Sequence, residues 1–110
     1  MGEIINPYEF SKKERKEIYK RDDFQCVMPG CRNTFGLGVA HVFVSRAKGG
    51  LGVKENGALL CQEHHQALDQ KNHKWHESIK QYVEDYLKHH YGIIDKQDVI
   101  YNKWKGYAHG

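Results

Sequence analysis

Cys26-Val27-Met28-Pro29-Gly30-Cys31 and Cys61-Gln62-Glu63-His64-His65 decide the fold of this chain. Four residues separate Cys26 from Cys31, two separate Cys61 from His64, and the two pairs start 35 positions apart. Zinc takes four soft or borderline ligands in a tetrahedron, and paired turns of this kind each supply two. Cys26, Cys31, Cys61 and His64 complete that set and use all three cysteines of the chain. Free cysteines are also often plain buried hydrophobes, but that reading leaves the paired spacing unexplained. His65, next to His64, is the alternative fourth ligand. On a helix the two rings point about 100° apart and can serve two different metals.

Outward from the first knuckle, residues 22–36 are too polar for a strand and read as a loop turning at Pro29-Gly30. Leu37 to Val44, rich in β-branched and aromatic residues, predicts a strand. Gly49, Gly50 and Gly52 mark a loop over 45–55, Gly57 to Leu60 a second strand, and Gln62 to Asp69 a helix. Upstream, Ser11 and Glu14 form a capping-box pattern that opens a helix to about Arg21. Its lysines and arginines alternate with Glu14 and Glu17, which reads as a solvated face. Downstream, Ile79, Tyr82, Val83, Tyr86 and Leu87 put one apolar stripe on a helix over roughly 74–90, stopped by Gly92. Ile93, Ile94, Val99, Ile100, Tyr101 and Trp104 predict a tail that packs back as a short helix or an extended arm.

A chain of 110 residues holds one domain, with a core about 22–69, an N-terminal arm and helix over 1–21 and a C-terminal helix and tail over 74–110. A core this small gains from a metal staple. The formal charge of +3 permits a nucleic-acid partner without requiring one. No leader-like or membrane-spanning apolar run is present, so a cytoplasmic location is expected, where thiols stay reduced.

His41 lies in the first strand, Asn56 follows the glycine loop, and His65 sits on the first turn of the helix. A hairpin folded onto a helix can bring the three together. With Ala40-His41 to Gly50, Glu55-Asn56 to Cys61, and the Cys61-Gln-Glu-His64-His65 run, residues 22–69 resemble the HNH endonuclease family. The resemblance implies an α+β fold, a ββα-metal finger with a structural zinc site flanked by N- and C-terminal helices. It implies a metal-dependent endonuclease that hydrolyses DNA, double-stranded for preference, and leaves 5′-phosphate and 3′-hydroxyl ends. His41 would be the general base, Asn56 would fix the loop and orient the His41 ring by a hydrogen bond, and His65 would ligate a catalytic metal. Magnesium or manganese is the expected ion there, with zinc or nickel as alternatives.

The family has Asp or His before the base, and this chain has Ala40. One residue too many separates His41 from the glycine pair, which the loop can absorb; the other register would leave the site without a base. Asp69, four residues after His65, shares its helix face and matches in position a second metal ligand of the DNase colicins. A helix-end Asp without a role is the equal alternative. Arg46, Lys48 and Lys54 are the phosphate contacts expected beside the site. His73, His76, His89, His90 and His109 read as surface residues. Small free-standing members of the family resemble phage packaging-associated nucleases, and a double-strand cutter with one site implies a homodimer or an accessory protein. The competing function is a non-catalytic zinc-ribbon module that binds nucleic acid or protein.

Overall fold

Helix α1, Lys12–Arg21, begins where Ser11 accepts a hydrogen bond from the Glu14 amide at 3.2 Å. The computed structural model describes residues 6–101; residues 1–5 of the arm, and Trp104 and His109 of the tail, lie outside the described residues. The second half of the capping box is redirected. Glu14 Oε1 accepts from the Lys54 amide at 2.7 Å, tying α1 to the glycine loop. After α1 the chain turns through Asp23 and Phe24, both at φ of 57°.

Strand β1, Gly38–His41, pairs antiparallel with β2, Gly57–Leu60, in the register Gly38 to Leu60 and His41 to Gly57. Side chains alternate across a strand, so the paired Val39 and Leu59 face α1 and pack on Ile18. Ala40, Ala58 and Leu60 face the opposite core. That core is closed by α2, Gln62–Asp69, and α3, His76–Tyr91, through Ala67, Leu68, Ile79, Val83 and Leu87. Covering both faces buries the whole of β2, which explains its unbroken apolar run. The result is a small α+β domain in which a two-stranded sheet lies between α1 and the α2–α3 pair.

The expected strand to Val44 stops at His41. Asn56 is the reason: its Oδ1 accepts from the Phe43 amide at 2.8 Å and the Val44 amide at 3.2 Å, and its Nδ2 donates to the Val44 carbonyl at 3.0 Å and the Leu51 carbonyl at 3.1 Å. A buried amide side chain thus replaces the strand partner that residues 43 and 44 lack. The glycine loop closes against the same segment. A Cβ at Gly50 would overlap the Val44 carbonyl, and Gly49 sits at φ of 89°, so both positions require glycine.

The tail forms a 3-10 turn at Lys96–Val99 and then pairs with the loop, the Leu51 amide donating to the Val99 carbonyl and the Tyr101 amide to the Gly49 carbonyl, both at 2.8 Å. Val99 is buried, whereas Ile93, expected to pack back, is 97% exposed. No helix among the described residues is long and apolar enough to cross a membrane.

Two side chains read as solvated are buried. Arg21 ends α1 beneath the sheet, forking onto both oxygens of Asp22 at 2.6 and 2.8 Å and donating to the Lys54 and Gly57 carbonyls and to the Tyr91 hydroxyl. Asp22 is fully covered and also accepts from the Leu59 amide and the Tyr86 hydroxyl. Every charge in the pair therefore has polar partners, the condition for burying one. His76 is the second: it starts α3 with its Nδ1 3.2 Å from the Ala67 carbonyl, locking α3 onto α2.

Candidate metal centre and histidine site

The knuckle after α1 is shaped by backbone bonds. The Cys31 amide donates to the Met28 carbonyl at 3.1 Å, the Cys26 amide to the Asn33 carbonyl at 3.2 Å, and the Val27 amide to the Leu59 carbonyl at 3.0 Å. The last bond holds the knuckle against β2, at whose end Cys61 caps α2. One turn into α2 lies His64. The ligand atoms of Cys26, Cys31, Cys61 and His64 all lie within 4.8 Å of one another. Cys31 Sγ is 3.9 Å from Cys61 Sγ, and His64 Nδ1 is 3.4 Å from Cys26 Sγ and 3.2 Å from Cys61 Sγ.

A tetrahedron with zinc–sulfur bonds of about 2.3 Å has sulfur–sulfur edges of about 3.8 Å, and sulfur–nitrogen edges are somewhat shorter. The observed spacings fit that shape, so the cluster can hold a metal ion such as zinc. Burial pushes the Cys26 thiol up to about 12, against hydrogen bonds from the Cys61 and Met28 backbone that favour the thiolate. A thiol so placed ionises beside a cation, which supplies the charge that burial removes. Of the two adjacent histidines, His64 joins the cysteines and His65 turns away.

His41 ends β1 half-buried, with its Nε2 2.7 Å from the backbone carbonyl of Tyr8. A carbonyl only accepts, so Nε2 carries the proton and Nδ1 the lone pair. The Phe10 ring lies over the imidazole at 4.6 Å. Burial lowers the His41 pKa, the Tyr8 carbonyl opposes that, and Arg46 lowers it further; Asp69 and His65 act on it as well, with opposite signs. No side-chain bond joins Asn56 to this ring: the carboxamide spends its bonds on the 43–51 backbone, and the partner that orients the imidazole is Tyr8.

On α2, His65 Nε2 is 3.4 Å from Asp69 Oδ2, and its ring edge rests against Gly38 of β1. These are two donors one helical turn apart. Among the described residues, the Cys/His cluster is where three or more ligand atoms converge; His65 and Asp69 bring together one nitrogen and one oxygen. Ala40, beside His41, is fully buried and offers no ligand.

His41 and Asp69 line a cavity of about 670 Å³ whose other walls include Lys48, Lys71, Lys80 and Lys96. Lys48, expected as a phosphate contact, stands on it. Arg46 is exposed and pairs with Glu9 at 3.2 Å. Lys54 turns to α1, where its Nζ is 3.8 Å from Glu17. Sequence reasoning missed Tyr8, Lys71, Lys80 and Lys96. A backbone carbonyl leaves no residue signature, and the lysines come from separate segments. Compared with protein-family models, with curated proteins and with solved structures, the chain matches none.

Proposed function

We propose that this chain is a metal-dependent endonuclease of the HNH type, with His41 as general base on DNA phosphodiesters. One observation carries the reading. His41 has Nε2 committed to the Tyr8 carbonyl, is held toward its neutral form, and shares a lysine-walled cavity with Asp69. An imidazole so arranged keeps a basic Nδ1 at neutral pH. In this reading β1, β2 and α2 make a ββα finger, and Cys26, Cys31, Cys61 and His64 hold a structural zinc.

Nδ1 of His41 takes a proton from a water whose oxygen bonds to phosphorus. The bond from phosphorus to the 3′ oxygen breaks, that oxygen leaves with the electron pair, and solvent protonates it. Magnesium or manganese bound by His65 and Asp69 would stabilise the negative charge on the phosphate and the leaving oxygen. Asn56 keeps residues 43, 44 and 51 fixed behind His41, and the Tyr8 carbonyl keeps the ring from turning.

A second reading rests on Ala40. Where the resemblance expects a second metal ligand, a buried methyl group packs into the core. That favours a zinc-ribbon module that binds nucleic acid or protein without cutting. Supercoiled plasmid separates the two. Nicking or linearisation that requires magnesium or manganese and disappears in His41→Ala supports the nuclease. An intact plasmid with a zinc-loaded wild-type chain supports the binding module.

A further inference from the structure

We propose that the cavity walled by Lys48, Lys71, Lys80 and Lys96 is a cradle for the phosphate backbone of the nucleic-acid strand running on from the phosphate held at His41. The substrate class rests on the nuclease reading; the anion-binding character rests on the cavity itself. The four ammonium groups come from four segments: the 3-10 turn Arg46–Lys48, the connection from α2 to α3, α3 itself, and the 3-10 turn Lys96–Val99. Only tertiary folding brings them to one concavity, together with His41.

Solvated lysines ordinarily spread apart, because like charges repel. Here the Lys71 ammonium, with Lys96 and Lys80 adding to it, lowers the pKa of the Lys48 ammonium from its usual range. Among the described residues, Lys80 pairs with Glu84 at 2.9 Å and donates to the Val42 carbonyl at 3.1 Å, whereas Lys48, Lys71 and Lys96 pair with no carboxylate. Four lysines thus meet three carboxylates, Asp69 and Glu77 on the cavity wall and Glu84 on Lys80, leaving an excess of one positive charge. A phosphodiester backbone supplies anions in series, as cations contributed to one cavity by four separate segments require. Lys80 is fixed by its two bonds and reaches the carbonyl of Val42, the residue that follows His41.

The test measures binding of a fluorescein-labelled 30-base-pair duplex of random sequence, and of one of its strands, across a range of potassium chloride concentrations. The protein is the full zinc-loaded chain carrying His41→Ala, so that nothing is cut, with no added divalent metal. Each lost phosphate contact lowers the slope of log K against log salt by about 0.9 on duplex and about 0.7 on single strand. Lys71→Gln with Lys96→Gln is expected to lower the duplex slope by about 1.8. Lys13→Gln with Lys88→Gln removes the same charge from α1 and from the far end of α3 and is expected to leave the slope intact. Lys71→Arg with Lys96→Arg is expected to keep it. Equal losses in the two glutamine pairs, or no loss in the cavity pair, overturn the cradle. Wild-type cutting of plasmid with an unchanged slope removes the cradle alone. A slope loss in a chain that cuts nothing supports the cradle and removes the nuclease.

Discussion

The backbone carbonyl of Tyr8 lies 2.7 Å from Nε2 of His41, so the N-terminal arm determines which nitrogen of that imidazole carries the proton. The contact joins residues 33 positions apart. It is reinforced by the Phe10 ring on the imidazole and by the Gly52 amide, which donates to the Pro7 carbonyl at 2.9 Å. Shifting the arm would free the ring.

Burial, the leading influence on His41, pushes its pKa below the ordinary 6.5, which favours the neutral imidazole that the proposed base requires. If His41 is the base of a nuclease, the acid limb of the cleavage rate is expected below pH 6.5, and His41→Ala to remove activity at every pH. An apparent pKa above 7 for single-turnover cleavage would contradict the assignment. The same shift has a sign for stability. The fold favours the neutral ring, so this contribution is complete above pH 6.5 and is lost as pH falls through the lowered folded value. His41→Phe should therefore weaken the pH dependence of urea unfolding in the acid range.

Asn56 is fully buried and makes four bonds to the backbone of residues 43, 44 and 51. Asn56→Ala leaves those groups unpaired away from water. We expect a loss of roughly 3 kcal/mol in urea unfolding, since each stranded buried group costs about 1–3 kcal/mol and relaxation recovers part of the sum. A loss under 1 kcal/mol would mean that the loop does not depend on this side chain.

Metal analysis of the purified chain is expected to find one zinc held by Cys26, Cys31, Cys61 and His64. Structural zinc in small domains contributes about 10–16 kcal/mol, comparable to or above the net 5–15 kcal/mol of a typical fold. Chelation, or Cys61→Ser, should therefore abolish cooperative thermal unfolding. A chain that melts identically with and without chelator has no structural metal.

Asp22 balances Arg21 inside the fold, their side chains being 0% and 9% exposed. Asp22→Asn leaves the guanidinium without its counter-charge and is expected to cost about 3–5 kcal/mol. Tyr86→Phe removes only the hydroxyl bond to Asp22 and should cost about 2 kcal/mol. Burial, then the Asp22 carboxylate, holds the Tyr86 phenol well above its ordinary range, so no ultraviolet titration of Tyr86 is expected before the protein unfolds in base.

Asp69 is exposed and meets His65 at 3.4 Å. If the two share a metal, Asp69→Ala will raise the magnesium concentration needed for half-maximal nicking about tenfold, with little effect on melting. An unchanged magnesium dependence would return Asp69 to a helix-end residue without a role.

The sequence by itself determined what a few neighbouring residues control. The Ser11 cap, the Gly57–Leu60 strand, the Gln62–Asp69 helix, the apolar stripe of α3 except Tyr82, which is exposed, the Gly92 stop, and the spacing of Cys26, Cys31, Cys61 and His64 were legible. Periodicity, capping chemistry and knuckle spacing act within one or two turns of chain, so they are written in local order. Only the tertiary structure decided the rest. Arg21 carries the same sign as the lysines around it, and nothing local says that it alone is buried on Asp22. Strand β1 ends early because a carboxamide 12 or 13 residues away captures its amides. His76 looks like any helix-end histidine until α3 packs on α2. Lys48, Lys71, Lys80 and Lys96 read as ordinary solvated charge until folding turns them to one cavity, and Tyr8 acts on His41 through a backbone atom common to every residue. Convergence of distant groups depends on how the elements pack, and packing is a property of the whole chain.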